Sequence, residues 1–414
     1  MGDGTDIRSN PHREDFPLLA SQPELAYLDS AATAQRPRCV LDAQREFSET
    51  MNANPLRGLY ELSLRATEAI SKTRGEIAEF LGLDAVEDAR DVIFCRNTTE
   101  ALNLVAASYA KSVLKEGDEV CISIMEHHSN LIPWQEVCRE TGARLVYLYC
   151  DDEGRISDEE LDAKIGARTK VAAVGHVSNV LGVENPVAEI GRRVHEVGGV
   201  LVVDGAQSAP HLPLDVRGLG CDFFAFSAHK AYGPLGVGVL WGRHELLDGM
   251  RPLLTGGEMI ESVTEEDAVW AEVPEKFEAG TQDAAGVYAT GAAIRHIERV
   301  GLDEIGAREA ALMDYLVARM AELPYVEIVG PADASKRHGA LSFNVRGVHP
   351  HDVSGILSGE NVAIRAGHHC AQPLLAHLGM RTCCRASVAY YNDARDVDRL
   401  VEGLGLVERM FNVE

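Results

Sequence analysis

Lysine is scarce in this chain. Its 414 residues include eight lysines against 31 arginines, and 64 acidic residues leave a formal net charge of −25. So acidic a balance argues against nucleic acid or anionic membrane as a partner, because basic patches hold both. Acidic surplus with few lysines suits a protein kept soluble at high salt, so a halophilic source is expected. Long apolar runs are missing too: stretches such as Val200–Val203 meet a charge within a few residues, far short of the about 20 that a membrane helix needs. The first ten residues show no basic stretch followed by an apolar one, so no secretory signal is expected. Asp6 stands where a myristoylation signal would need Ser or Thr. The nine cysteines are odd in number, without framework spacing and without a zinc-type CxxC pair. That usage argues for reduced thiols, no structural metal and a cytoplasmic setting. Repeats and low-complexity segments are also lacking.

What is present is an ordinary globular composition, 46% hydrophobic and 25% charged. The length exceeds one typical core. A domain boundary is expected near Ala293, with a smaller domain following it. The proline-bearing arm to about residue 25 should pack on another part of the chain, and an amphipathic helix is expected from about Ser63 to Leu81. From Asp91 onward short runs rich in Val, Ile and aromatics recur: Asp91–Cys95, Glu119–Met125, Arg144–Tyr149, Lys170–His176, Gly199–Val203 and Asp222–Phe226. Helical patterns lie between most of them, and a second short strand ends near Trp241. The alternation predicts an α/β fold with a mostly parallel sheet covered on both faces. In such sheets ligands bind outside the carboxyl ends of the strands, so the residues just past each run matter most.

Those residues form a pattern. Asn97-Thr98-Thr99-Glu100 offers two hydroxyls and free N–H groups at a helix start, either a phosphate site or a plain N-cap. Glu126-His127-His128-Ser129-Asn130 offers an imidazole able to stack on an aromatic cofactor, although paired histidines also serve structure or metals. His176-Val177-Ser178-Asn179 follows the next run. Asp204 ends the apolar run Val200–Val203, where a carboxylate is costly without a cationic partner such as a pyridinium nitrogen. Phe226-Ser227-Ala228-His229-Lys230 puts a lysine at a strand end, where desolvation would free its amine for a Schiff base. Singly each has a bland reading. Together they make a phosphate cup, a stacking ring, a partner for a pyridine nitrogen and a Schiff-base lysine, which is a pyridoxal 5′-phosphate site.

Asp204-Gly205-Ala206-Gln207, Phe226 through Pro234, Phe277-Glu278-Ala279-Gly280-Thr281 and Arg365-Ala366-Gly367-His368-His369-Cys370-Ala371-Gln372-Pro373 resemble the class V aminotransferase superfamily. More narrowly they resemble the group II, SufS-type cysteine desulfurases, over nearly the whole chain. The resemblance implies the type I pyridoxal phosphate fold: a seven-stranded-type, mostly parallel sheet domain over 24–293 and a smaller α+β C-terminal domain formed by 1–23 plus 294–414. By it, Lys230 would carry the cofactor as a Schiff base, Asp204 would pair with the pyridine nitrogen and Gln207 would bond the ring hydroxyl. Thr99, Ser227 and His229 would hold the phosphate, helped by Thr281 from the other subunit of a homodimer. His127 would stack on the ring, Asn179 and Arg385 would bind the substrate carboxylate, and Arg365 would be a further substrate-binding residue; from the residues alone, the neighbouring Arg365 also favours a thiolate at Cys370. L-cysteine would be the substrate, Cys370 the sulfur acceptor, and a SufU- or SufE-like protein the next carrier, with His351 of His349-Pro350-His351 at that exchange.

Cys370 also has rival readings. It could be a buried structural thiol, as Cys95, Cys121, Cys150 and Cys221 within strand-like runs are expected to be. It could instead belong to a metal set with His368, His369, Cys383 and Cys384. Rival functions are a selenocysteine lyase, an aminotransferase, or a scaffold that has merely kept the fold. One departure stands out: the family's His-Arg-Gly-x-His is here Leu56-Arg57-Gly58-Leu59-Tyr60, without either histidine.

Overall fold

The apolar runs assemble into one seven-stranded sheet. In the computed structural model, which describes residues 5–56 and 58–413, its order is Val92–Cys95, Gly238–Gly242, Phe223–Ser227, Val200–Asp204, Thr169–Gly175, Glu119–Ser123, Arg144–Leu148. Pairing is parallel except at Gly238–Gly242, which runs antiparallel to both neighbours. The turn after Ser227 is too short for the crossover a parallel strand needs, so the chain returns on itself. The strands read as continuous apolar runs because both faces are covered: every residue of Val200–Asp204 and of Phe223–Ser227 is buried. Phe224 and Phe226 pack into one core, and Phe223 and Ala225 into the other. Each fully buried Phe contributes about 1.5–3 kcal/mol.

Register brings the functional strand ends level. Gly175 pairs with Asp204 and Asp204 with Ala225, while Ser227 pairs with Gly238. Gly238 has a packing reason: a Cβ there would lie 2.4 Å from the Cα of Asn97. Only glycine lets the Asn97–Thr98 segment lie so close to the sheet.

A second, antiparallel sheet has the order Val326–Val329, Ala340–Val345, Cys383–Ser387, Arg365–Gly367. The helices Leu302–Ala321, Pro350–Gly359 and Ala394–Phe411 lie with it in a separate core. The N-terminal arm packs here. Asn10 donates to the carbonyls of Tyr390 and Asn392, each at 2.7 Å, and Arg13 forms a buried pair with Asp396 at 2.8 Å. Ala26–Tyr27 pairs with Val362–Ala363. Val362–Ala363 and Arg365–Gly367 are two short strands, each in a different sheet. The amphipathic helix expected over 63–81 spans Glu61–Phe80. From it Arg74 grips Glu278 bidentately at 2.7 and 2.9 Å, and Glu278 also accepts the Phe94 N–H at 2.7 Å. Leaving one such buried charge without its partner costs about 3–5 kcal/mol. Arg57, retained with Gly58 from the family's His-Arg-Gly-x-His pattern, lies outside the described residues. Among the described residues no helix is long and apolar enough to cross a membrane.

Candidate active site

The carboxyl ends of these strands surround a cavity of about 290 Å³. Its lining includes Thr99, His127, Asn179, Asp204, Gln207, Ser227, His229, Lys230, Arg365, Cys370 and Arg385. Thr281 is elsewhere, in a separate cleft with Phe94, Arg96, Gly236 and Val237.

One side of the cavity is a cup of hydroxyls. The helix opens at Thr98, because the Asn97 side chain caps it by accepting the Glu100 N–H at 3.0 Å. Ser227 Oγ accepts the Thr98 N–H at 2.8 Å and shares a hydrogen bond with Thr98 Oγ1 at 2.7 Å. Thr99 Oγ1 and Ser129 Oγ lie 2.7 Å apart. His229 Nδ1 is 3.2 Å from Thr33 Oγ1.

Lys230 makes no hydrogen bond or ion pair with the described residues. Burial pulls its ammonium down to about 8, against the opposing pull of Asp204. Asp204 is 8% exposed, and its carboxylate accepts one hydrogen bond among the described residues, from the Ala206 N–H at 2.9 Å. Burial raises its pKa, so a cation placed against it would restore the carboxylate. Gln207 Nε2 donates to the Ala31 carbonyl at 2.8 Å. His127 Nδ1 accepts the Ser129 N–H at 3.1 Å, which leaves the ring proton on Nε2. Burial foremost, then Lys230, pulls its pKa down to about 3, so the ring is neutral near pH 7.

On the opposite side Arg385 is buried. Its Nη1 donates to the Asn179 carbonyl at 2.8 Å and its Nη2 pairs with Asp29 at 3.3 Å, while its Nε has no partner. Arg365 reaches the other oxygen of Asp29 at 3.3 Å. The Asn179 amide donates to the His369 carbonyl at 2.7 Å. Cys370 is exposed, and its backbone and that of His369 are both left-handed, with φ +53° and +50°. Non-glycine residues held there cost about 1–3 kcal/mol each and persist only where their surroundings enforce them.

The aminotransferase class-V family profile matches residues 26–400. The chain belongs to that family. A probable cysteine desulfurase of Halalkalibacterium halodurans is 46% identical over 399 residues, covering 96% of this chain and 97% of that one. The apo structure of the cysteine desulfurase of Thermococcus onnurineus NA1 superimposes with a TM-score of 0.91 at 38% identity, covering 98% of this chain and 99% of that chain. A cysteine desulfurase of Escherichia coli in its S-sulfonic acid form gives 0.87 at 36% identity, covering 96% of this chain and 98% of that one.

The class-V family works with pyridoxal 5′-phosphate, and the residues here fit that group. The hydroxyl cup at a helix start suits its phosphate. The sparsely bonded Asp204 suits its ring nitrogen, and Arg385, its Nε without a partner, lines the same cavity.

The thiol reading also separates cleanly. Burial pushes Cys121 up to about 12 and Cys150 up to about 11, and raises Cys95 and Cys221. Cys370 stands apart as the exposed one of the nine. The His369 ring turns away from Cys370, donating from Nε2 to the Cys383 carbonyl at 2.9 Å. Among the described residues no three His, Cys, Asp or Glu side chains converge as a metal set. Leu59 and Tyr60, from the departing pattern, are exposed and do not line the cavity of their own chain.

Sequence reasoning missed Asp29, which joins Arg365 to Arg385, and Glu126 in the cavity floor. Glu126 accepts from Ser123 Oγ at 2.5 Å, Asn130 Nδ2 at 2.6 Å and the Gly175 N–H at 3.0 Å, and burial raises it to about 7. A carboxylate directly after a buried strand was the available signal, the same one that marked Asp204.

These shifts predict acid sensitivity. His127, His229, His296 and His369 are pulled down by burial to about 3, 4, 4 and 3. The unfolded chain therefore takes up protons first as pH falls below about 6.5, and stability drops from there towards pH 4 by about 1.4 kcal/mol per pH unit per histidine. Glu126 is shifted the other way and offsets one of the four. The urea midpoint of the apoprotein should fall between pH 7 and pH 5; an unchanged midpoint would contradict the burial assignments.

Proposed function

We propose that Cys370 takes sulfur from L-cysteine and passes it to an acceptor protein. The protein is a pyridoxal phosphate-dependent cysteine desulfurase that releases L-alanine. One observation carries the reading: an exposed thiol opens into the same cavity as a desolvated lysine, while six of the other cysteines are buried and Cys39 and Cys95 are half-buried with their thiols raised by desolvation.

When bound, pyridoxal phosphate supplies the electron sink that acidifies the substrate Cα proton and lets the Cβ–Sγ bond break. Lys230 holds the cofactor, then takes and returns the Cα proton; its pKa of about 8 keeps a useful share of neutral amine near neutrality. Arg385, through its free Nε, and Asn179 hold the substrate carboxylate. His127, neutral and oriented by Ser129, stacks on the ring. The Cys370 thiolate attacks the substrate Sγ: an S–S bond forms, the Cβ–Sγ bond breaks with its electron pair going to carbon, and protonation of that carbon leads to alanine. Ser227, Thr99 and His229 hold the phosphate and Gln207 the ring hydroxyl.

The finer reading is a SufS-type enzyme in the cytoplasm, serving iron–sulfur cluster assembly. It works as a homodimer in which Thr281 completes the partner's phosphate site. Its domains divide as 24–293 and 1–23 plus 294–414. A SufU- or SufE-like acceptor meets it beside Cys370, where a Cβ added to Gly367 would lie 3.8 Å from His351 Nε2; that nearness supports His351 as a contact. The charge of −25 supports salt adaptation, which retention of fold in molar salt and its loss in dilute buffer would bear out.

The deciding assay adds L-cysteine to the purified yellow protein. Alanine should form with one extra, thiol-labile sulfur on Cys370. A yellow protein that makes no alanine from cysteine would overturn the reading.

A further inference from the structure

Four residues, His368 to Ala371, join the strand Arg365–Gly367 to the helix Gln372–His377. They carry Cys370 in a backbone shape that cysteine does not choose freely. Something outside the loop must hold it. On one side His369 is fixed through its ring to Cys383 and through its carbonyl to Asn179. On the other, two hydrogen bonds reach a single residue. The His128 N–H donates to the Cys370 carbonyl at 2.7 Å, and His128 Nε2 accepts the Gln372 N–H at 3.3 Å.

The second bond also answers a local need. The helix beginning at Gln372 has Ala371 as its N-cap, which offers no side-chain acceptor, and Pro373 follows with no N–H. His128 supplies the acceptor that the cap lacks. An acceptor at Nε2 requires the neutral ring, and burial together with His368 lowers the His128 pKa. His128 does not line the cavity itself. It adjoins His127 in sequence, so the segment that supports the cofactor ring is tied directly to the loop that carries the thiol.

We propose that His128 is a positioning residue for Cys370, clamping the thiol loop to the His127 segment so that the sulfur acceptor keeps a fixed place relative to the cofactor site. The inference rests on Cys370 being the sulfur acceptor. It assigns the two adjacent histidines separate tasks, one to the ring and one to the thiol.

The test compares His128→Ala with His128→Gln in the holoenzyme; a glutamine Oε1 stands close to where Nε2 stood and can accept the same N–H. His128→Ala should leave the cofactor absorbance unchanged and KM for L-cysteine within about 2-fold. It should slow persulfide formation about 10-fold, the size of one lost hydrogen bond plus a small misplacement of the reacting atom. Hydrogen exchange at the Gln372 amide should quicken by about the same factor. His128→Gln should restore both. Unchanged exchange and rate in His128→Ala, a His128→Gln variant no better than alanine, or loss of the cofactor band would each overturn the proposal. The exchange measurement needs no turnover. If wild-type protein made no alanine, the desulfurase reading would fall while the clamp was still tested on its own.

Discussion

Cys370→Ser should abolish sulfur transfer while leaving a yellow, folded protein. The side chain is exposed, and exposed substitutions of this size usually change stability by within about 0.5 kcal/mol. Serine fills nearly the same space and meets the same left-handed backbone, so the loop should survive. What is lost is the nucleophile, since a hydroxyl does not ionise near neutral pH and forms no persulfide. Alanine production through this route should fall by at least about 10³-fold, with KM for L-cysteine little changed because Arg385 and Asn179 are untouched. Mass analysis after exposure to L-cysteine should find no added sulfur at position 370. Full activity in the serine variant would remove Cys370 from the mechanism altogether.

Lys230→Ala should have the larger effect, on the order of 10⁴-fold or more in kcat, as expected when a group with two roles is removed. The remaining seven lysines, Lys72, Lys111, Lys115, Lys164, Lys170, Lys276 and Lys336, do not line the cavity, so no neighbour can substitute. The absorbance of the covalently held cofactor should vanish, although Asp204, Gln207 and the hydroxyl cup should still retain the cofactor non-covalently. Lys230→Arg should fail as well, because a guanidinium stays protonated and cannot serve as a base. What distinguishes this lysine is its place in the cavity with its amine brought down to about 8 by desolvation, and arginine has no comparable state within reach. A Lys230→Ala protein that kept its colour and turnover would place the covalent link elsewhere.

The central sheet was legible because parallel strands buried on both faces cannot hide their pattern: Val200–Val203 and Phe223–Phe226 carry apolar residues throughout, with no polar alternation. The residues at their ends were legible for the same reason, since Asp204 and Lys230 break apolar runs where a charge needs a purpose. The direction of Gly238–Gly242 was not stated, though the short turn before it already determined it. Asp29 was out of reach because its meaning lies in Arg385, 356 residues away, and no local pattern encodes such a partner. The hairpin of Ile260–Val263 and Ala268–Trp270 went unread because its largely exposed strands give no burial signal. The left-handed backbone at His369 and Cys370 was equally hidden, since neither residue type announces it. Thr281 shows the limit of a single chain: the resemblance assigns it to a partner's phosphate, and within its own subunit it faces another cleft.

The withdrawal of the other thiols also insulates the cargo. A persulfide gives up its outer sulfur to any thiolate that collides with it, and a protein with nine cysteines could scatter that atom through its own interior. Here burial keeps the thiols of Cys121, Cys221, Cys383 and Cys384 protonated and out of reach, so sulfur loaded on Cys370, as proposed, would find no destination among them. Its lifetime would then be set by the arrival of an outside acceptor, and substitutions that loosen the core around Cys121 would leak sulfur inward without touching the catalytic loop.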